Sequence, residues 1–198
     1  YLYTSSISID ESLVKSAAQG VTVGVGIRVI AGERTGYAYS DDLAPEKILQ
    51  AARVAACIAA GPAKTEKFGF TESQRRDLYP VLDAPSDAPL LERVALVRKA
   101  DEAARAADPR VFQVQASYGD SLRHTLVATS DGALSFDRQP MTRVNVTAYV
   151  RGDDGEVQHG FSGGGGRVSL EFFATNPPER FAREAVRHMK PRGHGRIV

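Results

Sequence analysis

The change of hydrophobic period near residue 40 is the feature that most constrains this chain. Every odd position from Val21 to Val29 carries a branched apolar side chain, and a spacing of two is typical of a strand with one apolar face. From Pro45 to Ala60 the spacing becomes helical. The predicted stripe of this helix consists of Ile48, Ala52, Ala55 and Ala59. The sequence therefore indicates β structure that is followed by a helix.

The same order of elements recurs later in the chain. A predicted hairpin and helix occupy about 1–60, and a second set occupies about 111–190. Both returning strands carry Gly, an aromatic residue and Ser, in Gly36–Ser40 and in Gly160–Ser162. We therefore predict an α+β fold of duplicated β-hairpin/helix units, with a mostly antiparallel sheet packed with helices and a connection at 61–110.

Local signals place the individual elements. Predicted strands lie at 1–9, 21–30, 37–40, 111–118, 121–129, 133–136, 143–150 and 156–162, and a short one at 78–82. Predicted turns lie at 10–12, 32–36, 119–120, 131–132 and 154–155, with a loop at Gly163–Gly166. A second helix is expected at 90–107, with Leu90, Val94, Val97 and Ala104 on one stripe. A third helix would be capped by Asn176 with Glu179, and its stripe is Phe181, Ala185 and Met189.

Charge and cysteine content exclude several classes of protein. Lys and Arg number 25 against 24 Asp and Glu, a formal net charge of +1. This balance argues against a general binder of nucleic acid or anionic membranes. The single cysteine excludes an internal disulfide framework and a multi-cysteine metal site, and it fits a reducing compartment. No apolar run approaches the roughly 18 residues of a membrane span.

The four histidines do not form a recognisable metal motif. His188 and His194 are six positions apart, with Pro191 between them and no acid, whereas zincin ligands lie one helical turn apart. His124 and His159 fall on predicted strands, where a role on the sheet surface is expected. We therefore assign no catalytic, cofactor-binding or metal-binding residue to this set.

Other candidate motifs are also better explained structurally. Cys57 lies in an alanine-rich helix, and Arg53 alone is weak evidence for a reactive thiolate. Gly163–Gly166 lacks the Lys-Ser or Lys-Thr of a phosphate-binding P-loop, although its backbone could lie along an extended ligand. Gly24-Val25-Gly26 lacks the third glycine of a dinucleotide fingerprint.

A glycosylation sequon and a basic tail complete the candidates. Asn145-Val146-Thr147 matches the sequon but falls in the middle of a predicted strand. The segment 179–198 has six basic residues against two acids. It is expected to be a solvated helix face with a frayed end, or to meet an anionic partner.

Several segments, taken in order, resemble the TldD/PmbA family. They are Gly24–Ser40, Ser117–Arg123, Ala128–Gly132, Gly163–Gly166 followed by Phe172-Phe173, and Ala182–Val186. The resemblance spans about 1–189 and implies that this segment is an α+β N-terminal domain. The family is described as metal-dependent peptidases and as modulators of DNA gyrase.

The resemblance implies a zinc peptidase of the bacterial cytoplasm that acts in proteolysis of peptides or unfolded segments. It also implies a homodimer, or a heterodimer with a paired family subunit. The TldD-type subunit carries a His-Glu-x-x-x-His motif in a catalytic C-terminal domain. These 198 residues contain no His-Glu dipeptide, so no metal or catalytic residue can be carried over, and no cofactor is expected in this chain. Residues 190–198 depart from the family pattern as an atypical tail.

Three hypotheses follow for function. In the first, the chain is the N-terminal domain of a metal-dependent peptidase that shapes the cleft and the dimer, and its sheet edges could hold an extended peptide. Alternatively, it is a non-catalytic peptide-binding or partner subunit. Direct action on gyrase or DNA is disfavoured by the charge balance and by the lack of a DNA-binding motif. The chain alone is predicted to have no peptidase activity.

Overall fold

The computed structural model describes residues 1–59, 69–72, 80–81, 83–152 and 155–189. The strands are β1 (Leu2–Asp10), β2 (Leu13–Thr22), β3 (Val25–Ala31), β4 (Arg34–Ser40), β5 (Thr71–Glu72), β6 (Val111–Ala128), β7 (Ala133–Arg151) and β8 (Val157–Gly166). The helices are α1 (Pro45–Ala59), α2 (Leu90–Ala107), α3 (Phe172–Thr175) and α4 (Pro178–Arg187). Among these described helices, none has the length and apolarity needed to cross a membrane.

The chain divides into two compact units. Unit 1 comprises residues 1–2, 21–76 and 124–137. Unit 2 comprises residues 3–20, 77–123 and 138–198. The described strands form a large sheet of order β2-β1-β6-β7-β5, with β8 also paired to β7, and a separate two-stranded sheet β3-β4. Strands β7 and β8 pair antiparallel, as do β3 and β4, which agrees with the predicted α+β fold.

Unit 1 contains the β3–β4 hairpin and α1. Gly32, with a φ of 62°, occupies the first central position of the two-residue turn, where a positive φ is needed. Val25, Ile27 and Val29 are partly buried and alternate with exposed neighbours, so the predicted apolar face of this strand is confirmed.

Helix α1 approaches the hairpin very closely at Gly36. A Cβ added there would lie 1.9 Å from the carbonyl oxygen of Ala55. The buried face of α1 is made of small side chains, at Ala51, Ala55 and Ala59. Small residues on both elements therefore allow backbone-to-backbone packing.

Unit 2 holds the main hydrophobic core. Two helices, α2 and α4, contribute apolar side chains that pack with inward-facing residues of β1, β6 and β7. The strand residues of this core are Ile7, Ile9, Val111, Val114, Ala116, Tyr118, Val144, Val146, Ala148 and Val150. Within 7–9, 114–118 and 144–150 these residues are spaced by two, which shows that one face of the strands is buried, as the alternation in 143–150 predicted.

Helix α2 has the predicted bounds but a different buried face. Leu90 is 44% exposed, whereas Val97 and Ala104 are buried as expected. Arg93 and Asp101 are buried on the same side. The expected stripe misses them because charged residues are rarely assigned to a core unless partners are known.

The predicted turn at Gly119-Asp120 is wrong, because β6 continues through it. The inward alternation of Ala116 and Tyr118 extends to Asp120, which is 5% exposed. Strand β7 likewise runs unbroken across the interval expected between 136 and 143. The turn predicted at 10–12 is present at residues 11–12, since Asp10 belongs to β1, and the turn predicted at 131–132 is present as well. Asp154 of the turn predicted at 154–155 lies outside the described residues.

The predicted strand at 21–30 is two strands instead. Strand β2 ends at Thr22 and β3 begins at Val25. The sequence does not predict most of β2, because its residues show no apolar alternation and all ten are exposed.

Two local predictions in the last third are also wrong. Gly163–Gly166 is part of β8 and pairs with β7, so it is not a loop. Asn176 is the C-cap residue of α3, while Pro177 precedes α4 without a side-chain cap. The expected α4 stripe of Phe181, Ala185 and Met189 is buried as predicted. The expected strand at 78–82 and the tail from 190 onward lie wholly or largely outside the described residues.

Candidate functional site

The candidate site is the end of β8, which we call the glycine edge (Gly163–Gly166). Its register against β7 pairs Asn145 with Gly163 and Thr142 with Gly166. Four consecutive glycines leave this end of the strand without side chains. At Gly166 an added Cβ would meet nothing within 4 Å, so a ligand backbone could approach the strand closely at this position.

The side of β8 that faces α4 is closed by packing. A Cβ on Gly164 would lie 2.2 Å from Cζ of Phe181, and a Cβ on Gly160 would lie 1.9 Å from the carbonyl oxygen of Ala185. Between them, Ser162 Oγ donates a hydrogen bond of 3.0 Å to Glu184 Oε2. This part of the strand is thus fixed against α4.

Helix α4 also holds the strand through charged and polar groups. Arg180 Nε lies 3.0 Å from Glu184 Oε1, and the hydrogen bonds from Arg180 and Ser162 lower the pKa of the Glu184 carboxyl. At the C-cap, His188 Nδ1 donates to the carbonyl oxygen of Phe161 at 3.1 Å. These contacts give the glycine edge a defined position.

On the opposite face of β8, Phe161 is 50% exposed. A Cβ on Gly163 or Gly165 would lie 2.6 Å or 2.0 Å from the carbonyl oxygen of Val144 or Thr142, so these two glycines pack directly against β7. On the neighbouring strand, Arg143 Nε donates to Asn145 Oδ1 at 2.7 Å. Phe161, Asn145 and Arg143 therefore border the glycines with one aromatic ring, one amide and one guanidinium.

A cleft of about 510 Å³ follows directly after the glycine edge. Its lining combines Arg167, acidic groups and an aromatic ring, from Pro80, Val81, Asp83, Arg167, Val168, Ser169, Glu171, Phe172 and Thr175. Arg167 Nη2 donates to the carbonyl oxygen of Arg138 at 2.7 Å. A strand edge that continues into a cleft is suited to an extended chain, because backbone bonds supply affinity and the cleft takes side chains.

A second polar group in unit 2 lies buried between β1, β6 and α2. Arg93 Nη1 lies 3.0 Å from Asp120 Oδ2 and donates to Ser5 Oγ at 2.8 Å. Tyr118, beside them, is 1% exposed, and its burial raises the pKa of its hydroxyl well above the ordinary value. Because the side chains of Arg93 and Asp120 are 4% and 0% exposed, we assign the ion pair a structural role rather than a role in substrate binding.

The histidines are placed in separate surroundings. His124, in unit 1, contacts the rings of Tyr1 and Phe136 at centroid distances of 5.6 and 5.7 Å. His159, in unit 2, contacts Tyr149 at 5.8 Å. His188 caps α4, and His194 lies outside the described residues. The predicted sheet positions of His124 and His159 are confirmed.

The other residues that the sequence motifs singled out lie in ordinary helix and strand positions. Cys57 is exposed on α1, contrary to the small buried residue expected there. Gly26 lies under Tyr37, since a Cβ there would meet the Tyr37 hydroxyl at 2.4 Å. Asn145, in the sequon, lies within β7.

The described side chains do not fit a metal centre. No three His, Cys, Asp or Glu side chains in residues 1–59, 69–72, 80–81, 83–152 and 155–189 come together as possible ligands. A zinc site needs three or four such ligands around one point. We therefore derive no catalytic step through zinc from these residues.

Curated relatives of this chain carry one common name. It is 29% identical over 189 residues to a metalloprotease TldD homolog of Buchnera aphidicola from Schizaphis graminum, covering 92% of this chain and 39% of the relative. It is 28% identical to the metalloprotease TldD homolog of Haemophilus influenzae, covering 90% of this chain and 38% of the relative. The chain thus spans about two fifths of the length of these relatives.

Solved structures share the fold. A protein of Thermotoga maritima described as a DNA gyrase modulator matches with a TM-score of 0.73 and 18% identity, covering 94% of this chain and 42% of its own. TldE from Thermococcus kodakarensis matches with a TM-score of 0.67 and 20% identity, covering 94% and 43%.

Family models match both parts of the chain. The model of the PmbA/TldA metallopeptidase domain 1 matches residues 2–59. The model of the PmbA/TldA metallopeptidase central domain matches residues 83–190, more than half of the chain. With the relatives above, these matches show that the chain belongs to the TldD/PmbA family of metallopeptidases.

Proposed function

We propose that this chain is the N-terminal part of a metal-dependent peptidase, and that it positions an extended peptide without supplying the metal. The observation that carries the proposal is the glycine edge of β8, which leads into the cleft beside Arg167. Family membership supplies the reaction class, hydrolysis of peptide bonds. Zinc, held by residues beyond this chain, would activate water for that step.

The proposed substrate is a peptide or an unfolded segment. Binding along a strand edge requires an extended backbone with free N–H and C=O groups, which a folded protein does not offer. The exposed ring of Phe161 and the side chains of the cleft would contribute selectivity. A dimer, or a pair with a related subunit, in the cytoplasm is part of the same proposal.

The proposal is tested by fluorescence anisotropy with a dye-labelled unstructured peptide. A Cβ on Gly166 would meet nothing within 4 Å, so Gly166→Ala leaves the fold intact but narrows the approach to the strand. Gly69→Ala is the matched control, because Gly69 has the same open space but lies in unit 1. We expect Gly166→Ala to weaken peptide binding at least about fivefold and Gly69→Ala to leave it unchanged.

Two results would contradict the proposal. One is the absence of peptide binding, and the other is an equal effect of both alanine substitutions. Hydrolysis is measured on the same peptide, and the chain alone is expected to cleave none of it. A specific rate that follows this chain through purification and survives a chelator would refute the assignment of the metal to another part.

The second candidate function is a non-catalytic partner subunit. The observation that favours it is that no three His, Cys, Asp or Glu side chains come together as possible metal ligands in the described part of the chain. Peptide or subunit binding in a full-length protein without bound zinc or hydrolysis would select this candidate.

A further inference from the structure

The cleft beside the glycine edge opens into two further clefts of unit 2. This first cleft, of about 510 Å³, shares Asp83, Ser169 and Glu171 with a second cleft of about 280 Å³. The second cleft shares Glu92 and Leu170 with a third of about 420 Å³, which is also lined by the first residues of α4. The three clefts therefore form one continuous groove that begins directly after the glycine edge.

The lining of this groove is strongly acidic. Five carboxylates line it against two cationic side chains, Arg167 and Lys99. The guanidinium of Arg167 is already engaged, because its Nη2 donates to the carbonyl oxygen of Arg138 at 2.7 Å. Within the part of the chain that the structure describes, none of the five carboxylates forms an ion pair. We call this surface the acidic groove, and its carboxylates belong to Asp83, Asp87, Glu92, Glu171 and Glu179.

One carboxylate of the acidic groove has a buried oxygen that lacks a donor. Glu179 Oε2 is buried, and no group of the described residues donates a hydrogen bond to it. A buried oxygen without a donor destabilises a fold, so a ligand that brings a donor is favoured there. An ammonium or guanidinium group supplies both the donors and the opposite charge.

The acidic groove also presents apolar surface that is held in place. Phe173 is 5% exposed, and Leu170 packs against the main core. Backbone hydrogen bonds from Phe172 N to Ser169 O (3.2 Å) and from Phe173 N to Leu170 O (2.9 Å) fix this part of the lining. Lys and Arg side chains bury an aliphatic stem on apolar surface while the charged head stays with polar groups. Apolar surface beside carboxylates therefore suits these two residue types.

We propose that the acidic groove selects peptides that carry Lys or Arg next to the segment held on the glycine edge. The inference rests on the proposed function, because one extended peptide would occupy both the edge and the groove. Carboxylates in a cleft attract cationic groups and repel acidic ones. In the described residues, no three of these carboxylates converge as metal ligands, so the arrangement suits separate basic side chains rather than a metal ion. Backbone pairing at the glycine edge distinguishes few side chains, and the groove supplies the selectivity.

The first test compares three dye-labelled peptides by fluorescence anisotropy. They are unstructured, have about 12 residues (roughly 40 Å when extended) and differ only in carrying Lys, Gln or Glu at the same positions near both ends. Placing these residues at both ends covers either direction of the peptide along β8. We expect the Lys peptide to bind at least about tenfold more tightly than the Glu peptide, with the Gln peptide between them, because several weak ion pairs act together. The net charge of the chain is +1, so its overall charge does not attract a basic peptide. Equal affinities, or tightest binding of the Glu peptide, would overturn the inference.

Salt shows whether charge causes the preference. Between about 0.1 and about 1 M salt, the Debye length falls from roughly 10 to roughly 3 Å. The preference for the Lys peptide over the Glu peptide should then fall below about threefold, while the affinity of the Gln peptide changes little. A preference that does not change with salt would contradict recognition by carboxylates.

Two matched Glu→Gln variants locate the preference. Glu171 and Glu102 are both exposed, but Glu171 lines the acidic groove and Glu102 lies on α2 outside it. The Glu171 side chain makes no capping hydrogen bond to α3, so Glu171→Gln leaves the fold intact. Glu171→Gln should weaken binding of the Lys peptide about two- to fivefold and leave the Gln peptide unchanged. Glu102→Gln should change neither, and an equal effect of both variants would overturn the inference.

The Gly166→Ala variant separates this inference from the proposed function. If the Gln peptide binds and Gly166→Ala weakens it, but the Lys and Glu peptides bind equally, only the selectivity of the acidic groove is refuted. If the Lys peptide is preferred and Gly166→Ala weakens no peptide, the groove recognises basic side chains and the role of the glycine edge is refuted. Absence of binding by all three peptides would overturn both.

Discussion

Arg93 Nη1 lies 3.0 Å from Asp120 Oδ2, and the two side chains are 4% and 0% exposed. Arg93 also donates to Ser5 Oγ, so the guanidinium joins α2, β1 and β6. Removing one member of a buried ion pair leaves the other charge buried and uncompensated, which is more costly than removing both.

We therefore expect strong coupling between Arg93 and Asp120. Arg93→Met and Asp120→Leu should each lower the free energy of unfolding by about 3–5 kcal/mol, and the double variant by much less than their sum. Urea denaturation of the four proteins measures the coupling.

The exposed pair Arg180–Glu184 is the control for this comparison of single and double variants, which forms a double-mutant cycle. Its atoms are also 3.0 Å apart, but its side chains are 57% and 32% exposed. The same cycle with Arg180→Gln and Glu184→Gln should give a coupling of only about 0–1 kcal/mol. Equal coupling in the two pairs would contradict the role of burial.

The Arg93–Asp120 pair also shows why one part of the fold could not be predicted from the sequence. The bounds of α2 follow from its composition and flanking prolines, so Leu90–Ala107 could be predicted. Gly119-Asp120 has the local chemistry of a turn, and only the partner 27 residues away makes Asp120 compatible with an inward strand position. A short stretch of sequence does not show that the charge of Asp120 is neutralised by a residue so far away along the chain.

The candidate site could not be predicted from the sequence for a similar reason. Four glycines favour a loop on local grounds, yet pairing with Thr142–Asn145 holds them in β8. Strand β2 could not be predicted either, because neither of its faces is buried. Apolar and polar residues alternate along a strand only where one face is buried. The resemblance to a family indicated the class of protein, while the positions of these edges required the structure.

The Asp108–Arg110 contact predicts a pH-dependent contribution to stability. Arg110 Nη2 lies 2.7 Å from Asp108 Oδ2, and hydrogen bonding by Arg110 lowers the pKa of the Asp108 carboxyl. A pKa lowered in the folded state adds stability above the unfolded value of about 3.8, and this is lost as the pH falls through the folded pKa.

Arg110→Gln should accordingly destabilise the protein by about 1–2 kcal/mol at pH 7. The difference from the unsubstituted chain should shrink as the pH falls below about 4. Denaturant titrations at several pH values measure it. Arg143→Gln is the control, because Arg143 donates to an amide oxygen that does not titrate in this range. A difference for Arg110→Gln that stays constant down to pH 3 would exclude the linkage.

Gly36 and Gly160 are predicted to tolerate no side chain. At each, an added Cβ would lie 1.9 Å from a helical carbonyl oxygen, that of Ala55 or Ala185. Gly36→Ala and Gly160→Ala should each cost about 1–3 kcal/mol or more through overpacking, measured as a fall in the unfolding free energy. Gly69→Ala, which meets nothing within 4 Å, should change it by less than about 1 kcal/mol. A neutral Gly160→Ala would show that α4 can move away from β8.

The β1–β2 turn offers a substitution that should stabilise the protein. Glu11 and Ser12 have φ values of 52° and 62°, a left-handed conformation that side chains disfavour. Glu11→Gly removes that strain, which outweighs the added entropy of the unfolded chain, so a gain of about 0.5–1 kcal/mol is expected. In the β3–β4 turn, Gly32 already takes the positive φ, so Glu33→Gly adds only the entropic cost and should destabilise by about 0.5–1 kcal/mol. Opposite signs in thermal denaturation are therefore expected for the two Glu→Gly variants, and equal signs would contradict the strained turn.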